Sequence, residues 1–323
     1  MKMTTSALLA VFAAAIALAA DGPPQWAYGT APAAPAGGGR GAQPAADNTT
    51  PRTLPGSTLS FTLPQIRDGF GPADWYPGDH PAMPEIVAHG RRPDVRACSL
   101  CHYPNGKGRA ENAPIAGYPV QYFTQQMMDF KNGNRKSADP KKGNTNIMIA
   151  IAKAMTDEEI KASAEYFGSM KWTPWIKVVE TSTVPKTRVA GGLFLAIEGA
   201  EKEPLGARII EVPENTEATE TLRDPRAGFI AYVPAGSLKK GEALVMSAKC
   251  GTCHGADLRG MTIKNVIVPP IAGRSPSYLG RAIYDFQQGA RSGANAALMK
   301  PSVQRLTEDD SIALAAYIAS LEP

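Results

Sequence analysis

Two stretches of the chain carry apolar residues at helical spacing on an otherwise polar background: Ile160, Ala164 and Phe167, and again Ile312, Ala316 and Ala319. A capping box, Thr156-Asp157-Glu158-Glu159, opens the first, and its acidic near-equivalent Thr307-Glu308-Asp309-Asp310 opens the second. Each pattern predicts a helix that closes one half of the protein. Upstream, Glu85 to Ala97 and Leu238 to Lys249 also read as helices, with Gly90 and Pro93 interrupting the first. Between the halves the pattern changes. Trp175 to Glu180, Leu193 to Ile197, Ala207 to Val212 and Phe229 to Val233 are β-type runs set apart by Gly, Pro and Asn, which predict a small sheet or hairpin extension.

The segment before Glu85 divides into three. Residues 1–20 begin with Lys2, run through an Ala/Leu/Ile-rich stretch and end near Ala17-Leu18-Ala19, the form of a secretory signal peptide. Residues 21–60 are Pro/Ala/Gly-rich, above all Asp21 to Thr53, and read as a flexible linker without function of its own. Residues 61–84 carry Trp75, Tyr76 and His80 and have enough apolar content to pack on the first half. The halves are then 85–172 and 238–323, with 173–237 between them.

The two halves repeat each other. Pro114-Ile115-Ala116-Gly117 answers to Pro270-Ile271-Ala272-Gly273, Tyr122 to Tyr278, Asp129-Phe130 to Asp285-Phe286, and Arg135 to Arg291, all at one offset. Further on, Met148 matches Met299 and Tyr166 matches Tyr317 at a smaller offset, so a loop is shorter in the second half.

All 4 cysteines of the chain lie in two pentapeptides, Cys98-Ser99-Leu100-Cys101-His102 and Cys250-Gly251-Thr252-Cys253-His254. This C-x-x-C-H spacing is that of covalent haem c attachment: two thiols reach the vinyl groups of one porphyrin and the adjacent histidine ligates iron. A pair of zinc clamps or redox-active dithiols would leave His102 and His254 unexplained. Two haems c, one per half, are the expected cofactors.

Methionine sulfur is a soft, neutral sixth ligand for haem iron. Met148 and Met299 are methionine in both halves and are the candidates, whereas Met155 answers to Leu306 and reads as packing, like Met127 and Met128. His80 and His89 are the rival ligands for the first haem, and the second half has no counterpart to either. The Pro114 and Pro270 carbonyls are candidates to accept the other ring N–H of His102 and His254, against the alternative of a plain loop proline. Arg135 and Arg291 are candidates to neutralise haem propionates, against that of solvated surface arginine.

These residues resemble bacterial di-haem cytochromes c built from two class I cytochrome c domains in tandem. The resemblance covers roughly Glu85 to Met170 and Leu238 to Leu321. It implies a mainly α fold, His/Met ligation at both irons, and a periplasmic electron-shuttle role between a dehydrogenase or membrane complex and a downstream acceptor. The N-terminal extension and the β-like insert depart from the family plan. Two alternatives are weaker. A di-haem peroxidase needs a distal histidine that the chain lacks between His102 and His254 and after His254, and a di-haem thiosulfate dehydrogenase needs a cysteine ligand that the motifs do not spare. An electron-accepting subunit of a larger dehydrogenase, docked through the insert, is the third reading.

Composition adds limits. With 34 basic and 30 acidic residues the chain has a formal charge of +4, too dispersed for nucleic acid, and the partners expected are redox proteins. No apolar run in the mature chain reaches the roughly 18 residues of a membrane span.

Overall fold

A computed structural model describes residues 22–30 and 47–323. The signal segment read at residues 1–20 lies outside the described residues. The chain opens with one helical turn, α1 (Gln25–Tyr28), then a short hairpin of β1 (Arg52–Thr53) and β2 (Ser60–Phe61), then α2 (Leu63–Ile66). The first half holds α3 (Glu85–Ala88), α4 (Cys98–His102), α5 (Val120–Lys131), α6 (Gly143–Ala154) and α7 (Asp157–Gly168). Phe123, Met127 and Phe130 of α5 meet Ile160, Ala164 and Phe167 of α7 in its core. The second half repeats this with α8 (Ser237–Ser247), α9 (Gly251–His254), α10 (Pro276–Gln287), α11 (Ala296–Val303) and α12 (Glu308–Ser320). The fold is the mainly helical tandem that the pattern predicts.

Both capping boxes form. Thr156 Oγ1 accepts from the Glu159 N–H and Thr307 Oγ1 from the Asp310 N–H, while the acidic side chains reach back to the cap N–H groups. In the second half α8 crosses α12 so closely that Gly241 is obligatory: a Cβ there would strike the Ala313 carbonyl and the Tyr317 side chain. Before its attachment motif the first half has no helix of this length. Helix is confined to Glu85–Ala88, because Gly90 adopts φ +66 and sends the chain into a tight loop closed by the Arg91–Val95 pair. The helix expected over Glu85 to Ala97 is thereby corrected, and the interrupting residues are the cause.

Seven strands lie between the halves. A sheet of order β3 (Ile176–Glu180), β9 (Phe229–Val233) and β8 (Ile210–Pro213) pairs β3 with β9 in parallel and β9 with β8 antiparallel. Two ribbons complete the set, β4 (Thr183–Pro185) with β7 (Lys202–Pro204) and β5 (Thr187–Ala190) with β6 (Leu193–Ala196). A π-helical turn (Glu217–Thr221) sits before β9, and β10 (Met261–Ile263) with β11 (Val266–Val268) forms a hairpin in the second half. Alternating side chains Leu193 and Leu195 of β6 and Phe229 of β9 turn inward onto Trp172 and Trp175.

The expectation of a featureless linker over residues 21–60 fails at both of its described ends. Trp26, Ala27 and Tyr28 are buried in the core of the second half, and Leu54 joins Leu63, Ile66, Trp75 and Tyr76 in a separate cluster. Trp26 lies on α10 over Gly280, where a Cβ would collide with its ring, and its indole N–H donates to Glu308 at 2.9 Å. Two aromatic residues in a Pro/Ala/Gly background carry enough apolar area to override local composition. Trp26→Ala is expected to lower the stability of the holoprotein by about 3 kcal/mol, as measured by denaturant unfolding; a change within error would show that the segment contributes nothing.

Candidate functional site

The first C-x-x-C-H motif forms α4, and the loop after it fixes the histidine. His102 is buried, and its Nδ1 lies 3.0 Å from the Ala113 carbonyl. A ring N–H donating there leaves the Nε2 lone pair as the ligating atom. Burial drives the imidazole pKa down to about 4, so the ring is neutral, the form that binds iron. The second motif repeats the arrangement on α9: His254 Nδ1 is 2.9 Å from the Pro269 carbonyl, and burial again lowers the pKa.

The acceptors correct the sequence reading. They are the carbonyls of Ala113 and Pro269, the residues that precede Pro114 and Pro270. The proline still matters, because it restricts the residue before it to an extended conformation and so aims that residue's carbonyl. The Pro114 carbonyl is used differently, accepting from Arg274 Nη1 at 3.2 Å.

A cleft with about 1410 Å³ of empty space, open solvent included, adjoins the first motif. Cys98, Cys101 and His102 line it together with Met148 of α6, and Ile115, Phe123, Phe130 and Phe167 supply its apolar wall. Arg135, Lys136, Arg281 and Arg291 also line it, with Glu111 and Asp285. Two thiols, a neutral imidazole, a thioether, an apolar wall and several guanidiniums fit a haem c with its two carboxylates. In the second half Met299 of α11 is half-buried against Ile283, Val303 and Leu314. Met155 and Met127, read as packing, are buried in the first core and also line the first cleft.

The rival histidines do not reach the cleft. His80 is held by Asp74, with Nε2 to Oδ2 3.1 Å, while its Nδ1 lies 3.1 Å from the Tyr166 hydroxyl and 2.9 Å from the Pro81 carbonyl. Burial opposes protonation of this ring, but the Asp74 hydrogen bond and charge prevail and raise its pKa. His89 is exposed. Among the described residues no group of three or more His, Cys, Asp or Glu is placed to hold a metal ion, as a zinc clamp would require. No disulfide joins any of the four cysteines.

Arg135 and Arg291 meet at a junction between the halves, where sequence alone had put one in each. Their backbones form an antiparallel bridge, and both guanidiniums reach Gln126 Oε1, at 3.0 and 2.7 Å. Each also covers a phenylalanine of its own half, Phe130 or Phe286. Tyr278 lies beside them. Burial opposes its ionisation, yet the charges of Arg135, Arg291 and Arg274 prevail and bring its pKa down to about 8.

Three buried cations escaped the sequence reading. Arg274 donates to the Pro114 and Ala116 carbonyls and is sandwiched between Tyr118 and Trp172. Arg281 donates to the Ala27 and Ala110 carbonyls at 2.6 and 2.9 Å. Lys142 donates to the Tyr28 carbonyl, and burial lowers its pKa to about 7. The repeat held a signal for the first of them, since Arg274 is the counterpart of Tyr118 at the common offset.

Two helical units in tandem, each with a C-x-x-C-H histidine anchored by a backbone carbonyl, define a di-haem c-type cytochrome. The chain belongs to the cytochrome c family, whose family model, described as Cytochrome c, matches residues 88–171 and 238–322. It binds two haems c covalently and functions in electron transfer. It is 39% identical over 88 residues to cytochrome c-554(548) of Halomonas halodenitrificans, covering 27% of this chain and 100% of that one. Cytochrome c4 of Azotobacter vinelandii is 26% identical over 228 residues, 69% of this chain and 84% of the relative. The thiosulfate dehydrogenase electron acceptor of Stutzerimonas stutzeri is 25% identical over 234 residues, 72% of this chain and 82% of the relative.

Removing the Arg274 side chain leaves two buried carbonyls without donors. Arg274→Ala is expected to cost about 3 kcal/mol and to separate the unfolding of the two halves, followed by calorimetry of the holoprotein. A single transition at the parental temperature would contradict this.

Proposed function

We propose that the protein is a periplasmic electron carrier in which His102 with Met148 and His254 with Met299 ligate the two irons, taking electrons from a dehydrogenase and passing them to a downstream acceptor. The observation that carries this reading is the shared cleft: His102, both thiols and Met148 line one space. With His102 and Met148 both holding the iron, no coordination position would remain for substrate, which suits a carrier better than a peroxidase. A dehydrogenase as donor accords with the Stutzerimonas stutzeri relative, an electron acceptor of thiosulfate dehydrogenase.

When bound, haem supplies a one-electron iron couple. The chain's own residues tune and protect it. The Ala113 and Pro269 carbonyls hold each imidazole in one tautomer and orientation. Phe123, Phe130 and Phe167 give the first cleft an apolar wall. Arg135 and Arg291 are assigned to the propionates of the first haem, and their charge favours the reduced iron. No helix among the described residues is long and apolar enough to cross a membrane. Export rests on the N-terminal signal pattern and on haem attachment outside the cytoplasm.

The oxidised holoprotein is expected to show the weak near-infrared band of methionine-sulfur ligation to ferric haem at an intensity equivalent to two haems. Met148→Ala and Met299→Ala should each remove about half of it. A band worth one haem in the parent protein, or a high-spin signal that responds to peroxide, would replace the carrier reading with an enzymatic one.

A further inference from the structure

The two attachment motifs differ in what covers them. In the first half the residues between the cysteines, Ser99 and Leu100, are buried, whereas their counterparts Gly251 and Thr252 are half-buried and exposed. The cover over the first motif is residues 217–226 of the insert. Tyr103 donates to the Thr219 carbonyl at 3.3 Å and Asn105 to the Pro225 carbonyl at 2.6 Å. Trp75 of the N-terminal extension holds the same segment by donating to the Leu222 carbonyl at 2.7 Å.

One contact of this cover brings a charge. Arg223 follows the π-helical turn and stands at φ +54, in the left-handed region that an L side chain enters at a cost. From there its guanidinium donates to the Leu100 carbonyl, inside the first motif, and its central carbon lies 5.7 Å from the centre of the Tyr103 ring. The charge is not matched locally. Arg109 is paired with Glu111 at 2.5 Å and with Glu220 at 2.7 Å, and the carboxylate of Asp224, the next residue, accepts from the Arg226 N–H at 2.8 Å. Among the described residues no carboxylate pairs with Arg223. Burial and the nearby Arg109 oppose its ionisation, yet a guanidinium keeps its proton in a protein.

The motif is bonded covalently to its haem, so a cation held on the Leu100 carbonyl is held in a fixed relation to the iron. Oxidation adds a positive charge at iron. A half-buried guanidinium nearby opposes that charge, and a cover that keeps water from the motif acts with the same sign, because water favours the more highly charged state. We infer that the insert is a redox-tuning element for the first haem, and that Arg223 raises its reduction potential. At the second motif the cation next in the chain, Lys249, also has a positive φ of +55, but it is exposed and water screens it. The transferred electron is thereby biased toward the haem whose attachment motif the insert covers. Assigning each potential to its haem rests on the ligand reading above; the tuning role does not.

Spectroelectrochemical titration of the holoprotein resolves two one-electron waves, and Met148→Ala, which removes the sulfur ligand from the first iron, identifies the wave of the first haem. Arg223→Gln is expected to shift the equilibrium of that wave about tenfold toward the ferric state, a fall of about 59 mV for a one-electron couple, with the other wave in place. Arg223→Lys keeps the charge and should restore most of the loss, while Lys249→Gln should move neither wave. A first-haem wave unmoved by Arg223→Gln, or an equal shift of either wave in Lys249→Gln, would overturn the inference. So would an equal fall in Arg223→Lys, which would show that Arg223 only holds the insert in place. If Met148→Ala leaves both waves and the near-infrared band unchanged, the ligand reading fails by itself; a fall of one wave alone in Arg223→Gln then still supports the tuning role, and a fall of both or of neither overturns it.

Discussion

Everything near the first site depends on the desolvated guanidiniums that the second half sends across the junction. Arg274 is fully buried, and burial lowers its pKa, so its charge persists only because its N–H groups find acceptors and its faces find aromatic rings. Those acceptors are the Pro114 and Ala116 carbonyls. Arg281 takes the Ala110 carbonyl a few residues earlier. Together they hold the 110–116 loop, and the Ala113 carbonyl in the middle of that loop is what orients His102. The second half thus preorganises the proximal ligand of the first.

The halves meet through equivalent residues, as the subunits of a two-fold dimer would. Arg135 bridges Arg291, its counterpart, and Arg274 lies over Tyr118, its counterpart. A contact between equivalent positions lies on the local axis, where one change acts twice in a homodimer but once in a fused tandem. Fusion therefore permits Tyr118 and Arg274 to differ. Two arginines at that point would repel, and two tyrosines would leave the 114–116 carbonyls without a donor.

Much of this was legible in the sequence, and what was not has a physical cause. The capped helices α7 and α12 were read correctly because apolar spacing and capping residues agree and each acts within a few positions. The attachment motifs were readable because their spacing is dictated by covalent chemistry. The acceptor for His102 was missed by one residue, since spacing indicates which proline is near but does not say which of two adjacent carbonyls faces inward. Arg135 and Arg291 stood out by their matching positions, yet their convergence on Gln126 depends on the packing of the halves, which no local pattern encodes. The burial of Trp26 and Tyr28 was missed for the opposite reason: their Pro/Ala/Gly neighbours dominated the reading, although two aromatic side chains suffice to anchor a short turn.

The insert and the N-terminal extension also explain why one repeat tolerates a short N-terminal helix and the other does not. In the second half α8 runs the length of its crossing with α12, and Gly241 allows the backbones to touch. In the first half the chain leaves helix after Ala88, and the apolar face that a longer α3 would have covered must be closed by other means. Met83 from the N-terminal extension packs on that core, and residues 217–226 cover the neighbouring motif. A long helix is local and forms early, whereas this cover brings together segments more than a hundred residues apart and costs more loop-closure entropy. The first attachment motif is thus the one whose enclosure depends on segments distant in the chain.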